Sequence, residues 1–174
     1  MKKNKNLNLL VLSIVTALLC AVWTLLSNVG SSFLLGWAGF AGCTSYFACG
    51  KHGLEGVKRT ILPNLAGVVC GVLSISLGGL VNSMNDWGIW CGIFTFIMCY
   101  MAVSDLFSFC PGTFIGCFSV FAADGNWKLL VPSLIIGAFL GLACDMGSKA
   151  LEKVLRGEKE QVMSCRNSAA EDLS

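Results

Sequence analysis

Between Thr60 and Cys144 the chain carries four charged side chains, Asp86, Asp105, Asp124 and Lys128. No water-soluble domain can be built from so long a stretch with so little charge, since such domains carry roughly 25% charged residues. Across the 174 residues 13% are charged and 55% hydrophobic, with a mean hydropathy of +0.74. The chain reads as an integral membrane protein whose first partner is the lipid bilayer. A net charge of +2 leaves no basic footprint for nucleic acid.

The apolar run that starts at Leu7 and ends near Asn28, behind Lys2, Lys3 and Lys5, exceeds the roughly 7 to 15 residues of a signal core. It matches the roughly 20 residues that cross a bilayer, so it is expected to stay as a first helix. Leu19 before Cys20 is too large for a lipoprotein cleavage site. Five further apolar segments follow, Phe33 to Gly50, Ile61 to Val81, Trp87 to Ser104, Leu106 to Ala123 and Leu129 to Gly147. Turn residues or charge separate them at Ser27 to Ser32, Lys51 to Arg59, Asn82 to Asp86, weakly at Asp105, and at Asp124-Gly125-Asn126. The expected fold is all-α, one membrane domain over 1–147 with six transmembrane helices and a polar tail over 148–174, a short helical extension fading into disorder.

Lys and Arg bias orients such a chain. Lys2, Lys3 and Lys5 precede the first span, Lys51, Lys58 and Arg59 follow the second, and Lys149, Lys153, Arg156 and Lys159 follow the sixth. Alternate connections are therefore basic, which predicts both termini in the cytoplasm. Five spans would put the basic C-terminal segment outside; six keep it inside.

The chain also resembles itself. Phe40-Ala41-Gly42-Cys43-Thr44-Ser45-Tyr46-Phe47-Ala48 and Phe114-Ile115-Gly116-Cys117-Phe118-Ser119-Val120-Phe121-Ala122 share six of nine residues at an offset of 74. Pro63-Asn64-Leu65-Ala66 matches Pro132-Ser133-Leu134-Ile135 at offset 69, and Gly67 and Gly71 match Gly137 and Gly141 at offset 70. Each unit, about 7–81 and about 87–147, holds three expected spans. An odd number reverses the entry side of the second, so the halves are expected to be inverted repeats, an arrangement that places transport paths near the midplane between them.

On a helix, Phe40, Cys43 and Phe47 share one face, repeated by Phe114, Cys117 and Phe121. That stripe is the candidate pore or substrate path, and packing or lipid contact is its competing role. The opposite face presents Ala38, Gly42 and Ser45, repeated by Gly112, Gly116 and Ser119. With Gly67/Gly71, Gly137/Gly141 and Gly88/Gly92 these make small-residue grooves for close helix packing. The grooves also suit a homo-oligomer, although internal packing alone can use them all. Pro111-Gly112 leaves about 13 residues, roughly 20 Å of helix, to Ala123. Either the helix starts earlier and kinks at Pro111, or the backbone from Phe107 to Thr113 is irregular, which lipid tolerates only where protein or water satisfies it.

Asp105, Asp124 and Asp145 lie at expected span ends, where a carboxylate reaches water at modest cost. Asp105, with no Lys or Arg near it in sequence, is the candidate proton site. The ten cysteines form no Cys-x-x-Cys pair and have one histidine, His52, for company, so they read as small apolar packing residues and no metal is expected. No GxSxG elbow, phosphate loop or clustered acid pair is present, so no enzyme activity, catalytic residue or cofactor is expected.

Trp37-Ala38-Gly39-Phe40, Tyr46-Phe47-Ala48-x-Gly50, Asn64-Leu65-Ala66-Gly67 and Pro111-Gly112-Thr113-Phe114-Ile115-Gly116-Cys117 resemble the pattern of the YcdZ-like bacterial inner membrane protein family, domain of unknown function 1097. The resemblance covers roughly Leu7 to Leu151. It implies a multi-pass protein of the bacterial inner membrane and carries no residue roles. The residues themselves point to a channel or facilitator for a small neutral or weakly ionised solute. A proton-coupled transporter using Asp105 and a non-transporting accessory protein are the alternatives.

Overall fold

The computed structural model describes residues 2–30, 33–78 and 84–171. Ser31 and Ser32, in an expected break, and residues 79–83, at the end of the expected third span and the start of the break after it, lie outside it. Among the described residues six α-helices stand where six apolar segments were expected: α1 (Lys2–Val29), α2 (Gly36–Ala48), α3 (Gly53–Gly78), α4 (Met84–Met101), α5 (Cys110–Ala122) and α6 (Trp127–Glu171). Among the described residues, three helical stretches are long and apolar enough to cross a membrane, Asn8–Val29, Gly53–Gly78 and Trp127–Leu155. The 13 residues of α2 and of α5 make only about 20 Å of helix each, against roughly 30 Å of hydrocarbon.

Several boundaries differ from the sequence reading. The basic connection after α2 is short, Cys49 to His52, and Lys58 and Arg59 lie in the first turns of α3 rather than in a loop. Gly50 and Gly53 take φ of +70° and +66°, which makes so tight a connection accessible. The buried Tyr46 hydroxyl accepts the Gly53 N–H at 2.9 Å, satisfying one of the donors left open where α3 begins. The weak break at Asp105 is a full interruption: α4 ends at Met101, a 3-10 turn spans Asp105–Phe107, and α5 starts at Cys110. Pro111 therefore sits in the first turn of α5, where its missing N–H costs nothing, and no kink is needed. Arg59 Nη1 donates to the Asp105 carbonyl and, at 2.7 Å, to Ser108 Oγ, tying this connection to α3. The C-terminal segment stays helical through Glu171 instead of fading after Gly157, as its Glu, Lys, Gln and Ala content favours.

By contacts the chain forms two compact units, Cys20–Leu142 and the described residues of Met1–Leu19 with Ala143–Ser174. In the smaller unit α1 and α6 meet where a Cβ on Gly147 would lie 3.1 Å from Val15. The larger unit is organised by glycine. A Cβ added to Gly42 would strike the Leu134 carbonyl of α6, and one on Gly137 the Gly39 carbonyl of α2. In α5 and α3 the same encounters occur: Gly116 against the Asn64 carbonyl, Gly67 against the Thr113 carbonyl. A Cβ on Gly71 would lie 3.0 Å from Val120 Cβ, and one on Gly141 2.7 Å from Tyr46 Cβ.

These contacts match pairwise. Adding 74 to each α2 residue and 70 to each α3 residue turns one set into the other, in exchanged order. From Gly39 against Gly137 to Tyr46 against Gly141, and from Asn64 against Gly116 to Gly71 against Val120, the residue numbers rise together, so α2 runs parallel to α6 and α5 parallel to α3. Ala38, Val68, Val120, Leu130 and Leu134 fill the space among these four helices. Cys70, Phe94, Met98 and Cys117 form a second apolar cluster that brings in α4.

Replacing Gly67 or Gly116 by valine is expected to force α3 and α5 apart and cost about 3 kcal/mol, near the upper end for overpacking. Gly92→Ala, where a Cβ meets nothing within 4 Å, is expected to be neutral or up to about 1 kcal/mol stabilising. Thermal unfolding in detergent, followed by tryptophan fluorescence, measures both.

Candidate functional site

The two Phe/Cys/Phe stripes are divided between interior and surface. Cys43 and Cys117 are buried, whereas Phe40, Phe47 and Phe114 are between 37% and 38% exposed. Phe121 packs on the cluster of Cys70, Phe94, Met98 and Cys117. Ringed apolar surface of that kind on a membrane helix suits lipid contact.

The opposite face is the buried one. Ala38, Ser45 and Ser119 have no exposure, and Gly42, Gly112 and Gly116 are buried with them. Small side chains there let α3 and α6 approach so closely that backbone touches backbone, and the polar groups on those helices are drawn inside. Asn64 is the twelfth of the 26 residues of α3, near the middle of a membrane-length helix, and is 2% exposed. Ser45 Oγ donates to its Oδ1 at 3.3 Å. Among the described residues Asn64 Nδ2 and Ser119 Oγ have no hydrogen-bond partner. A buried polar group left unpaired costs roughly 1 to 3 kcal/mol, and the cost rises in a dry interior.

Asn8 Oδ1 and Thr16 Oγ1 in α1 likewise lack a partner among the described residues, whereas three buried hydroxyls of the larger unit are bonded. Ser133 Oγ accepts the Leu35 N–H at 2.8 Å and donates to the Leu129 carbonyl at 2.7 Å, so a side chain of α6 serves the start of α2. Thr60 and Thr113 bond back into their own helices at 2.8 and 2.7 Å. From α1, Trp23 Nε1 donates to the Gly36 carbonyl of α2 at 2.8 Å while its ring lies against Gly39.

The halves are unequal at this junction. By the offset of 70, Thr60 corresponds to Leu130 and Asn64 to Leu134, all four fully or almost fully buried. One half supplies polar groups where the other supplies leucine. The groove bounded by Ile61, Asn64, Leu65, Leu134 and Ile135 has no room for a water molecule. Asn64 drew attention in the sequence as the neighbour of a repeated proline and within the segment resembling the family pattern, with no role of its own; a polar residue in the centre of an apolar run of membrane length was the signal available.

The acids lie elsewhere. Asp105 is exposed, and although no base is near it in sequence, Lys58 and Arg59 line the same surface cleft. Asp124, at φ +50°, shapes the exposed turn into α6 with Gly125 at +77°. Asp145 is buried and pairs with Lys149, one helical turn on, at 2.8 Å. His52 is exposed at the end of the connection into α3. The described cysteines are all unbridged, and among the described residues no three His, Cys, Asp or Glu side chains converge to hold a metal.

A family profile described as "Protein of unknown function (DUF1097)" matches residues 13–149. The chain is 42% identical over 136 residues to "Inner membrane protein YcdZ" of Escherichia coli (strain K12), covering 78% of this chain and 82% of that protein. To the protein of the same name from Salmonella typhimurium (strain LT2) it is 39% identical, covering 78% and 84%. "Uncharacterized protein YahC" of Escherichia coli (strain K12) is 29% identical, covering 80% and 90%. No solved structure matches.

Ser119→Ala removes a hydroxyl with no partner and is expected to be neutral or stabilising by up to about 1 kcal/mol. Ser133→Ala strips the acceptor from the Leu35 N–H and is expected to cost about 1 to 2 kcal/mol. Unfolding of the two variants in one detergent compares them directly.

Proposed function

We propose that this chain, which belongs to the DUF1097 family, is a facilitator for a small neutral or weakly ionised solute in the bacterial inner membrane, with its path where two inverted three-helix halves meet. The location follows its relatives, two of which are named inner membrane proteins, and agrees with the three apolar helices of spanning length. Alternating basic ends place both termini in the cytoplasm in this reading.

The exchanged glycine contacts support inverted halves. Reciprocal contact, with each half offering the same patch to the other, is the mark of a two-fold relation. With α2 parallel to α6, α5 parallel to α3, and short connections inside each hairpin, α2 and α5 point opposite ways. All six helices then belong to the membrane layer, the short α2 and α5 lying against α6 and α3.

One observation carries the transport reading: Asn64 Nδ2, near the middle of α3, and the Ser119 hydroxyl, toward the end of α5, are buried without partners. Polar groups kept dry and unpaired there are unfavourable unless something that can bond to them passes through. The near absence of charge along the helices selects a neutral or weakly ionised solute over an ion, which needs rings of charge or ordered carbonyls. No chemical change of the solute is part of this reading. The sealed groove beside Asn64 and Leu134 favours a second reading, a tightly packed accessory protein that moves nothing. Under the first reading the same groove is a closed gate.

In liposomes containing the protein, light scattering is expected to report entry of small polyols or amides at least about tenfold faster than in empty vesicles, with Asn64→Leu returning the rate to the empty-vesicle value. Entry no faster than in empty vesicles for every such solute would leave the accessory reading standing. A fluorescent reporter that matures only in the cytoplasm, fused after Ser174, is expected to fluoresce.

A further inference from the structure

At the basic end of α3 two surface depressions share a wall. A cleft of about 310 Å³ is lined by Glu55, Lys58, Arg59, Leu62, Asp105 and Leu106. A groove of about 490 Å³ is lined by Leu54, Val57, Ile61 and Phe139, with Lys58 and Leu62 again at its edge. The shared residues make the two continuous, charged at one end and apolar along the other. The 26 residues of α3 span about 39 Å, longer than the roughly 30 Å hydrocarbon layer, which puts Lys58 in its second turn at headgroup depth.

Two charges in the cleft are already engaged. Glu55 lies 3.5 Å from Lys51 and 3.9 Å from Arg59, and Arg59 is bonded to the Asp105 carbonyl and to Ser108. Among the described residues the Lys58 ammonium and the Asp105 carboxylate have no ion-pair partner. One free cation and one free anion at the mouth of an apolar groove complement a headgroup that itself carries both signs.

We propose that cleft and groove bind one phospholipid with a zwitterionic primary-amine headgroup: its phosphate on Lys58, its ammonium on Asp105, and an acyl chain along Leu54, Val57, Ile61 and Phe139. Such basic pockets beside membrane helices are established ground for headgroup recognition. An anionic glycerol headgroup answers Lys58 but sets surplus negative charge beside Asp105. A choline headgroup offers the charge without an N–H to donate to the carboxylate.

The test uses the full chain in mild detergent with an equimolar mixture of phosphatidylethanolamine, phosphatidylglycerol and phosphatidylcholine of identical acyl chains, and counts retained lipid by native mass spectrometry. Phosphatidylethanolamine is expected to exceed each of the others at least about fivefold, a difference of about 1 kcal/mol. Lys58→Gln is expected to remove that excess, and Asp105→Asn to remove only the preference over phosphatidylglycerol. Lys128→Gln, outside the cleft, is expected to change neither. Equal or better retention of phosphatidylglycerol by the native chain, or retention of phosphatidylethanolamine unaltered by Lys58→Gln in a protein of native helix content, would overturn the proposal.

Discussion

Close approach of helix backbones at four glycines, Gly42, Gly67, Gly116 and Gly137, is the constraint on which the larger unit depends. Lipid is as apolar as leucine, so burying apolar side chains offers helices in a bilayer little reason to associate. Dense van der Waals contact and polar pairing must hold them together. A glycine lets a neighbouring carbonyl sit where a side chain would begin, so each of the four sites brings many atoms into contact at once. The rest is arranged around these points: Tyr46 against Gly141, Val120 against Gly71, Trp23 against Gly39, and the apolar filling of Ala38, Val68, Leu130 and Leu134.

Approach that close has an electrostatic result. Helix faces made of glycine and serine carry polar atoms into the region that water leaves first, and every such atom needs a partner there. Ser133 finds one in the Leu35 N–H, and the threonines turn back to their own helices. Asn64 is only half satisfied, through Ser45. The same packing that holds the larger unit together thus leaves Asn64 Nδ2 and Ser119 Oγ buried without partners, and structure and candidate function have a common origin in the glycine faces.

The sequence disclosed much of this and hid the rest for physical reasons. The positions of the six helices follow from runs of apolar residues, and the 13-residue α5 from Pro111 and the Asp124-Gly125 turn. The glycine and serine faces, and their repetition, are readable from spacing alone. What spacing does not distinguish is which apolar face meets protein and which meets lipid, because both are hydrophobic in a membrane helix. The Phe stripes were therefore open to two readings, and three of the six residues lie at the surface. The true start of α3 was masked because charge at Lys51, Lys58 and Arg59 looks alike in a loop and in an interfacial helical turn. Ser119 lacks a partner for a reason no linear pattern carries: its counterpart Ser45 has Asn64, and the position equivalent to that asparagine is Leu134.

In the proposed path, that inequality between Thr60 and Asn64 on one side and Leu130 and Leu134 on the other has a consequence for a crossing solute. A solute arriving from one face of the bilayer would shed its hydration against Thr60 and Asn64, and from the other against Leu130 and Leu134. Microscopic reversibility forbids such a lopsided barrier from rectifying net flow, so a passive conduit built this way still runs downhill in either direction. What the asymmetry changes is the order in which water is surrendered, and hence which face saturates first.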